Sequence, residues 1–307
     1  MNSYTAAVVQ WAPEVNNLSK GAEKAAVAIA EAAKAGAKLV VFPEVWLQGY
    51  LYWAGRAPID PEYQYFRQGL WENTTTTDSA DFNVIRKAAQ AHKCTVVMSY
   101  HERTQGTIYA SQAFIGADGR VLGNHRKLMP TMAERTVWGM GDGSDLDGYD
   151  TALGRLGGMM CFEHQMAPAR HACCHLGIEV HAGAWPGHAF LDGVIDASMR
   201  QLAHENACFV IVAREVMSVD RLPVGAPVAA DSAGFYSGHG GSAIIAPGGK
   251  YIVEPVFDQE TIIYGEIDLS RIGLAKWWMD GTGHYSRPDI FQMNWNRSPK
   301  PAVLVKE

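Results

Sequence analysis

Three short stretches each deliver a reactive side chain at the end of an expected strand: "LVVFPE" ends in Glu44, "VLGNHRK" in Lys127 and "RLGGMMC" in Cys161. A carboxylate can take and return protons, an ammonium can hold developing negative charge, and a thiolate can attack an electrophilic carbon. Pro43 donates no backbone hydrogen bond, so the strand before Glu44 must end there. Pro130 follows Lys127 closely, and Cys161 closes a strand and precedes a helical stretch. The C-terminal mouths of strands are where open α/β sheets gather their ligands. At a strand-to-helix turn the Cys161 sulfur would face the positive end of a helix dipole, and a nearby lysine would also favour thiolate. The backbone N–H of Phe162 would point the same way and, with Lys127, would hold negative charge on a substrate.

Taken singly, each residue has a plainer use. A lone cysteine after an apolar strand is more often a small buried hydrophobe, Glu44 would serve as a cap, and Lys127 as a solvated strand end. Their occurrence at three strand ends is what makes them support one another. A second cluster, "RHACCHLG", offers His171, Cys174 and His175 on one helical face, but one turn of helix supplies no closed tetrahedral metal site. "SGHGGS" and "APGGK" lack the Gly-Lys-Ser/Thr ending of a phosphate loop and read as turns.

The elements that must position these groups alternate. A strand "TAAVVQWA", an Ala-rich helix ending near Gly36 and a buried strand "AKLVVFPE" make a right-handed βαβ unit. A helix near 80–92, a strand "CTVVMSYHE" and a hairpin turning at Asp118-Gly119 follow. The second half echoes the first, with strands "RLGGMMCF", "EVHAGAW" and "CFVIVAREV" separated by helices near 165–176 and 193–206. A hairpin "SAIIAPGGKYIVEP" and a strand "TIIYGEIDL" close it. Two such halves sharing one core predict an α-β-β-α four-layer sandwich, with the 307 residues forming a single domain and a short tail after about 295. Stretches 50–80, 131–150 and 217–241 read as irregular, and their Tyr50, Tyr52, Trp53 and Trp138 predict a largely apolar pocket.

Composition excludes several classes. A formal charge of −6 without a basic cluster argues against a nucleic-acid surface, and no run nears the ~20 apolar residues that span a bilayer. The five cysteines, an odd number with Cys173 and Cys174 adjacent, fit a reduced, cytoplasmic setting, and the first residues lack a signal-peptide pattern.

"VVFPEVWLQGY", "HRKLMPTMAERTVWGMGDGSDL" and "GRLGGMMCFEH", in that order, resemble the three signature regions of the nitrilase superfamily of carbon-nitrogen hydrolases. The resemblance runs from about residue 4 to "HYSRPDIFQMN" and is to the nitrilase branch. It implies Glu44 as general base, Lys127 as catalytic lysine, Cys161 as nucleophile, and Glu134 as a second glutamate beside them. The residue types alone also allow Glu134 as a first-turn acid. Trp185 matches a pocket-lining position and otherwise reads as aromatic packing, while Phe162 and Tyr50 are expected against the substrate. Two departures stand out: Phe162 occupies a position usually held by Trp, and Gln48 and Leu51 stand where prolines are common. The resemblance implies hydrolysis of a small-molecule nitrile to acid and ammonia without metal or organic cofactor, in a homodimer or larger homo-oligomer. An amidase, an N-carbamoyl amide hydrolase or a cyanide-degrading enzyme would use the same three residues.

Overall fold

The computed structural model describes residues 3–227 and 237–300. The irregular stretch 217–241 and the tail after 295 therefore lie partly outside the described residues.

In the first strand, β1 (Ser3–Gln10), Ala6 and Val8 face one layer and Ala7 and Val9 the other, all of them buried. An apolar run covered on both faces belongs inside a sheet with layers on either side. Helix α1 (Leu18–Lys34) starts at Asn17, whose side chain accepts the Lys20 N–H, and the chain turns at Gly36 with φ +93°. Strand β2 (Ala37–Val41) then pairs parallel to β1. Helices α2 (Pro61–Asn73) and α3 (Ala80–His92) lead to β3 (Thr95–Thr104), parallel to β2, and to the antiparallel pair β4 (Thr107–Ile115) and β5 (Val121–Arg126).

The second sheet repeats the scheme. Strand β6 (Tyr149–Thr151) borders β7 (Gly154–Met160), helix α4 (Ala167–His175) crosses to β8 (Val180–Ala184), and α5 (Asp192–Glu205) crosses to β9 (Phe209–Ala213). β7, β8 and β9 are parallel, and β10 (Val216–Met217), β11 (Gly238–Ile245) and β12 (Tyr251–Phe257) extend the sheet antiparallel. β13 (Thr261–Asp268) returns to the first sheet beside β1, and α6 (Arg271–Trp278) follows. The sheet orders are β13-β1-β2-β3-β4-β5 and β10-β11-β9-β8-β7-β6, with β12 on β11.

Buried side chains fill three layers of contact. Ala25, Ile29, Phe82 and Ile85 of α1 and α3 cover one face of the first sheet; Val8, Val41, Val97, Leu156, Phe209 and Ile211 join the two sheets; Met199 and Leu202 of α5 cover the second sheet from outside. This is the α-β-β-α sandwich. Helix α2 is a departure from the sequence reading, which left 50–80 irregular. Asp60 caps it, Pro61 starts it, and Tyr63, Phe66 and Leu70 bury one face, but the intervening Gln, Trp and Arg residues blur the periodicity.

Two local fits set the loop after β2. Gly21 on α1 faces the Leu47 carbonyl so closely that a Cβ would lie 2.1 Å from its oxygen, so only glycine admits the loop there. Gln48 is buried, accepts the His101 N–H at 2.9 Å and donates to Asn73 O at 3.0 Å. The amide thus ties the loop to β3, where prolines would have removed donors and restricted the path.

Candidate active site

β2, β3 and β5 run in one direction in their sheet, and β7, β8 and β9 in theirs. Glu44, Lys127 and Cys161 leave the C-terminal ends of β2, β5 and β7 and meet in one buried cluster. Lys127 Nζ donates to Glu44 Oε1 and Glu134 Oε2, each at 2.7 Å. One oxygen from each glutamate and the Cys161 sulfur lie within 4.8 Å of one another. That trio has ligand chemistry for a cation, but the ammonium already stands between the carboxylates. The His171–His175 stretch forms no metal-ligating group among the described residues.

The two glutamates differ in what remains free. Glu134 accepts from Lys127, from the Thr131 N–H and from the Tyr50 hydroxyl, both of the latter at 2.5 Å. Glu44 keeps Oε2 buried without a hydrogen-bond partner. Burial pushes Glu44 up to about 8, with Lys127 pulling down and Glu134 and Glu215 pushing up. Burial alone would lower Lys127, yet the negative groups around it hold it well above the usual lysine range, as a cation.

The sequence reading expected an activated thiolate, and the resting sulfur is different. Burial and then the Glu44 charge raise Cys161 well above the ordinary thiol range, against the pull of Lys127 and the Phe162 N–H. The lysine charge is divided between two carboxylates, and the segment after the sulfur is a five-residue 3-10 turn, Cys161–Gln165; α4 begins only at Ala167. Cys161 rests as a thiol with a proton acceptor beside it. Its φ of +51°, with +42° at Val45 and +42° at Met132, places three strained non-glycine residues around the cluster.

What holds the sulfur and the ammonium in register was not read from sequence. Glu163 is fully buried and accepts the Leu128 N–H at 2.6 Å and the Met160 N–H at 2.7 Å, the neighbours of Lys127 and Cys161. His125 bonds the same carboxylate and, through its other nitrogen at 3.0 Å, Asp145. Burial opposes the His125 charge, but Glu163 and Asp145 raise it to about 10, so an imidazolium bridges two carboxylates. His164 Nδ1 bonds the Cys161 carbonyl at 2.7 Å and pairs with His181 through its other nitrogen. Glu163→Ala strands a buried imidazolium and two N–H groups and is expected to cost about 3–5 kcal/mol, read by urea unfolding; a loss below about 1 kcal/mol would refute the clamp.

Glu215 was missed too, although "FVIVARE" repeats the pattern of "LVVFPE", an acid just past a buried run. It follows β9, is fully buried, accepts from the Tyr52 hydroxyl at 2.5 Å, and leaves Oε2 unpartnered. Burial raises it to about 7.

A cavity of about 180 Å³ opens above the cluster, with Cys161 and Glu134 in its lining and Tyr50, Tyr52, Leu51, Phe162, Met132 and Phe190 among its apolar groups. The expected neighbours Tyr50 and Phe162 are there. Trp185 is not in the lining: fully buried, it stacks on His164 at 5.2 Å, donates to Met199 Sδ, and backs Phe162 at 6.0 Å. Leaving β8 directly, its indole turns into the layer under α5, so its position is behind the wall.

The family model for carbon-nitrogen hydrolases matches residues 5–276. A nitrilase of Bradyrhizobium diazoefficiens is 37% identical over 308 residues, covering 98% of this chain and 95% of that one. An aliphatic nitrilase of Rhodococcus rhodochrous is 35% identical, covering 96% of this chain and 83% of its own length. Among solved structures, a carbon-nitrogen hydrolase from Helicobacter pylori superposes with a TM-score of 0.75 at 22% identity, over 94% of this chain and 96% of that one. Such a likeness carries the four-layer fold, and the agreement of sequence along nearly the whole length carries the lineage: the chain belongs to the carbon-nitrogen hydrolase family.

Proposed function

We propose that the protein is a nitrilase, converting an organic nitrile and two waters to a carboxylic acid and ammonia. The observation that carries this reading is the free Glu44 Oε2 in the cluster with the Cys161 thiol, beside a lysine held as a cation. The relatives named nitrilase give the substrate class.

Glu44 takes the Cys161 proton as sulfur attacks the nitrile carbon, and that proton passes to nitrogen, giving a thioimidate. A water deprotonated by Glu44 adds to the same carbon. The tetrahedral intermediate expels ammonia and leaves an acyl-thioenzyme; a second water releases the acid and restores the thiol. Lys127 and the Phe162 N–H stabilise the negative charge that develops in each addition. Glu134, saturated by three donors, orients the lysine and leaves Glu44 to move protons. Expulsion of sulfur from the tetrahedral intermediate would instead yield the amide.

Incubation with aliphatic, aryl and arylacetonitriles, with ammonia and acid measured, tests the reading. Faster turnover of the matching amide or N-carbamoyl compound would replace it with the amidase or carbamoylase alternative, and turnover of cyanide alone with the cyanide-degrading one.

The pH profile follows from Glu44. A base held near 8 is protonated below that pH, so kcat/KM should rise with pH through about 8. Glu215→Gln removes one of the charges that push Glu44 up and should move the rise to lower pH. An unmoved profile would take Glu215 out of the site's electrostatics.

One catalytic domain, assembly into a homo-oligomer and a cytoplasmic setting belong to the same proposal. The core shared between the sheets supports the first, and Leu274, Trp277, Trp278 and Phe291, each more than two-thirds exposed, the second. All five cysteines are free thiols, which fits the third, and no described helix is long and apolar enough to cross a membrane.

A further inference from the structure

Two of the most exposed large apolar side chains belong to the cavity that leads to Cys161. Met132 is 75% exposed and Phe190 is 76% exposed, and both line it. They come from separate short turns, Met132–Thr136 after the Lys127 strand end and Ala189–Leu191 before α5. Neither is a loose surface residue. Met132 holds a left-handed φ of +42°, and the Phe190 ring stacks on His188 at 5.0 Å. The His188 ring meets the edges of Tyr50 and Tyr52 at 5.6 and 4.9 Å, so Phe190 is built onto the cavity wall.

The cavity's size makes these residues matter. In a cavity of about 180 Å³, Cys161 is a buried lining group and Met132 and Phe190 are exposed ones, so they stand on its solvent side, where the far end of a longer substituent lies.

Charge narrows the choice further. Glu44, Glu134 and Glu215 are buried around the site, Lys127 is bonded to two of them, and no lysine or arginine is among the cavity's described lining residues. A carboxylate carried in on the substrate would lose water and gain no cationic partner.

We propose that Met132 and Phe190 are specificity-determining residues that clasp the uncharged apolar substituent of the nitrile, and that the site discriminates against nitriles bearing a carboxylate. This rests on the nitrilase reading and goes beyond it by naming the class of substituent and the residues that select it.

The test compares kcat/KM for 3-phenylpropionitrile and propionitrile in the parent, Phe190→Ala, Met132→Ala and the double variant. The ratio of the long to the short nitrile should fall at least about tenfold in the double variant, chiefly through KM, with Phe190→Leu keeping most of it. A ratio unchanged within about twofold overturns the clasp, as does a change in oligomeric state by size exclusion without a change in ratio. In the parent, 5-cyanopentanoate should be turned over at least about 100-fold less efficiently than hexanenitrile, and near-equal values overturn the charge discrimination. If the parent releases no ammonia from any nitrile, it is the nitrilase reading that falls. The clasp is then decided by the same ratio for 3-phenylpropionamide and propionamide, and a ratio that Phe190→Ala and Met132→Ala leave unchanged overturns it.

Discussion

Cys161→Ala should release ammonia from nitriles at least about 10,000-fold more slowly than the parent, while unfolding at nearly the same urea concentration. The two halves of this expectation separate the possible uses of the residue. As a core side chain, Cys161 would contribute one buried sulfur, and its loss would cost about 1 kcal/mol with activity reduced in proportion to any unfolded fraction. As a nucleophile it carries every covalent intermediate, and the remaining lysine, amide and glutamates have no bond to make. Four other cysteines are present, at 94, 173, 174 and 208, all free and buried. None of them is among the described lining residues of the cavity, whereas Cys161 lines it beside Glu44 and Glu134, so a substrate adduct trapped in the parent should map to Cys161 alone by mass spectrometry. Ammonia release within tenfold of the parent, or an adduct on Cys173, would remove Cys161 from the chemistry.

The parts of this site legible in the sequence are those tied to strand ends. Glu44 and Lys127 stand close to prolines, at 43 and 130, that announce a strand's end, and Cys161 stands where an apolar run gives way to a helical stretch. That shared position is what grouped the three, while Glu134 came through family resemblance, since nothing in local periodicity places it beside them. The charge state of the sulfur was misjudged for a related reason. Counting one lysine near one cysteine favours thiolate, but the outcome depends first on burial of the sulfur and then on the carboxylates that share the same ammonium, both three-dimensional facts. Glu163 and His125 lie 38 residues apart and read separately as a first-turn acid and a strand residue. Only the packed structure shows that one carboxylate receives the amide beside the lysine and the amide beside the thiol. Glu215 was within reach, because its strand-end pattern is the one that exposed Glu44. Trp185 shows the converse: a correct strand end whose side chain turns into the layer behind the cavity.

Lys127→Met should reduce kcat/KM by about 1,000-fold or more and destabilise the fold by about 3–5 kcal/mol at neutral pH. The first loss follows from removing the cation that holds negative charge during each addition. The second follows from burial: Lys127 and Glu44 are fully buried and Glu134 nearly so, and the ammonium is the bridge between the two carboxylates. Without it, Glu44 loses its counter-charge and faces a second buried carboxylate, so its pKa rises further. The sign of the pH dependence follows. A carboxyl whose folded pKa lies above its unfolded value takes up a proton on folding, so its contribution is intact below the unfolded value near 4.3 and is lost as pH rises through the folded value. Glu44 of the parent already stands near 8, so Lys127→Met should keep a constant offset from the parent up to about pH 8 and fall further behind it as pH rises from there to about 9.5. Adding Glu44→Gln removes the carboxyl that must take up a proton on folding, and the double variant should regain about 2 kcal/mol or more relative to Lys127→Met at pH 7 while remaining inactive. Urea unfolding at pH 7 and pH 9.5, with ammonia release measured on the same preparations, reads both effects. A double variant no more stable than Lys127→Met would mean that lost packing around the lysine stem accounts for the destabilisation. Recovery of activity with stability would mean that Lys127 acts only as a structural bridge, and the role assigned to its charge would fall.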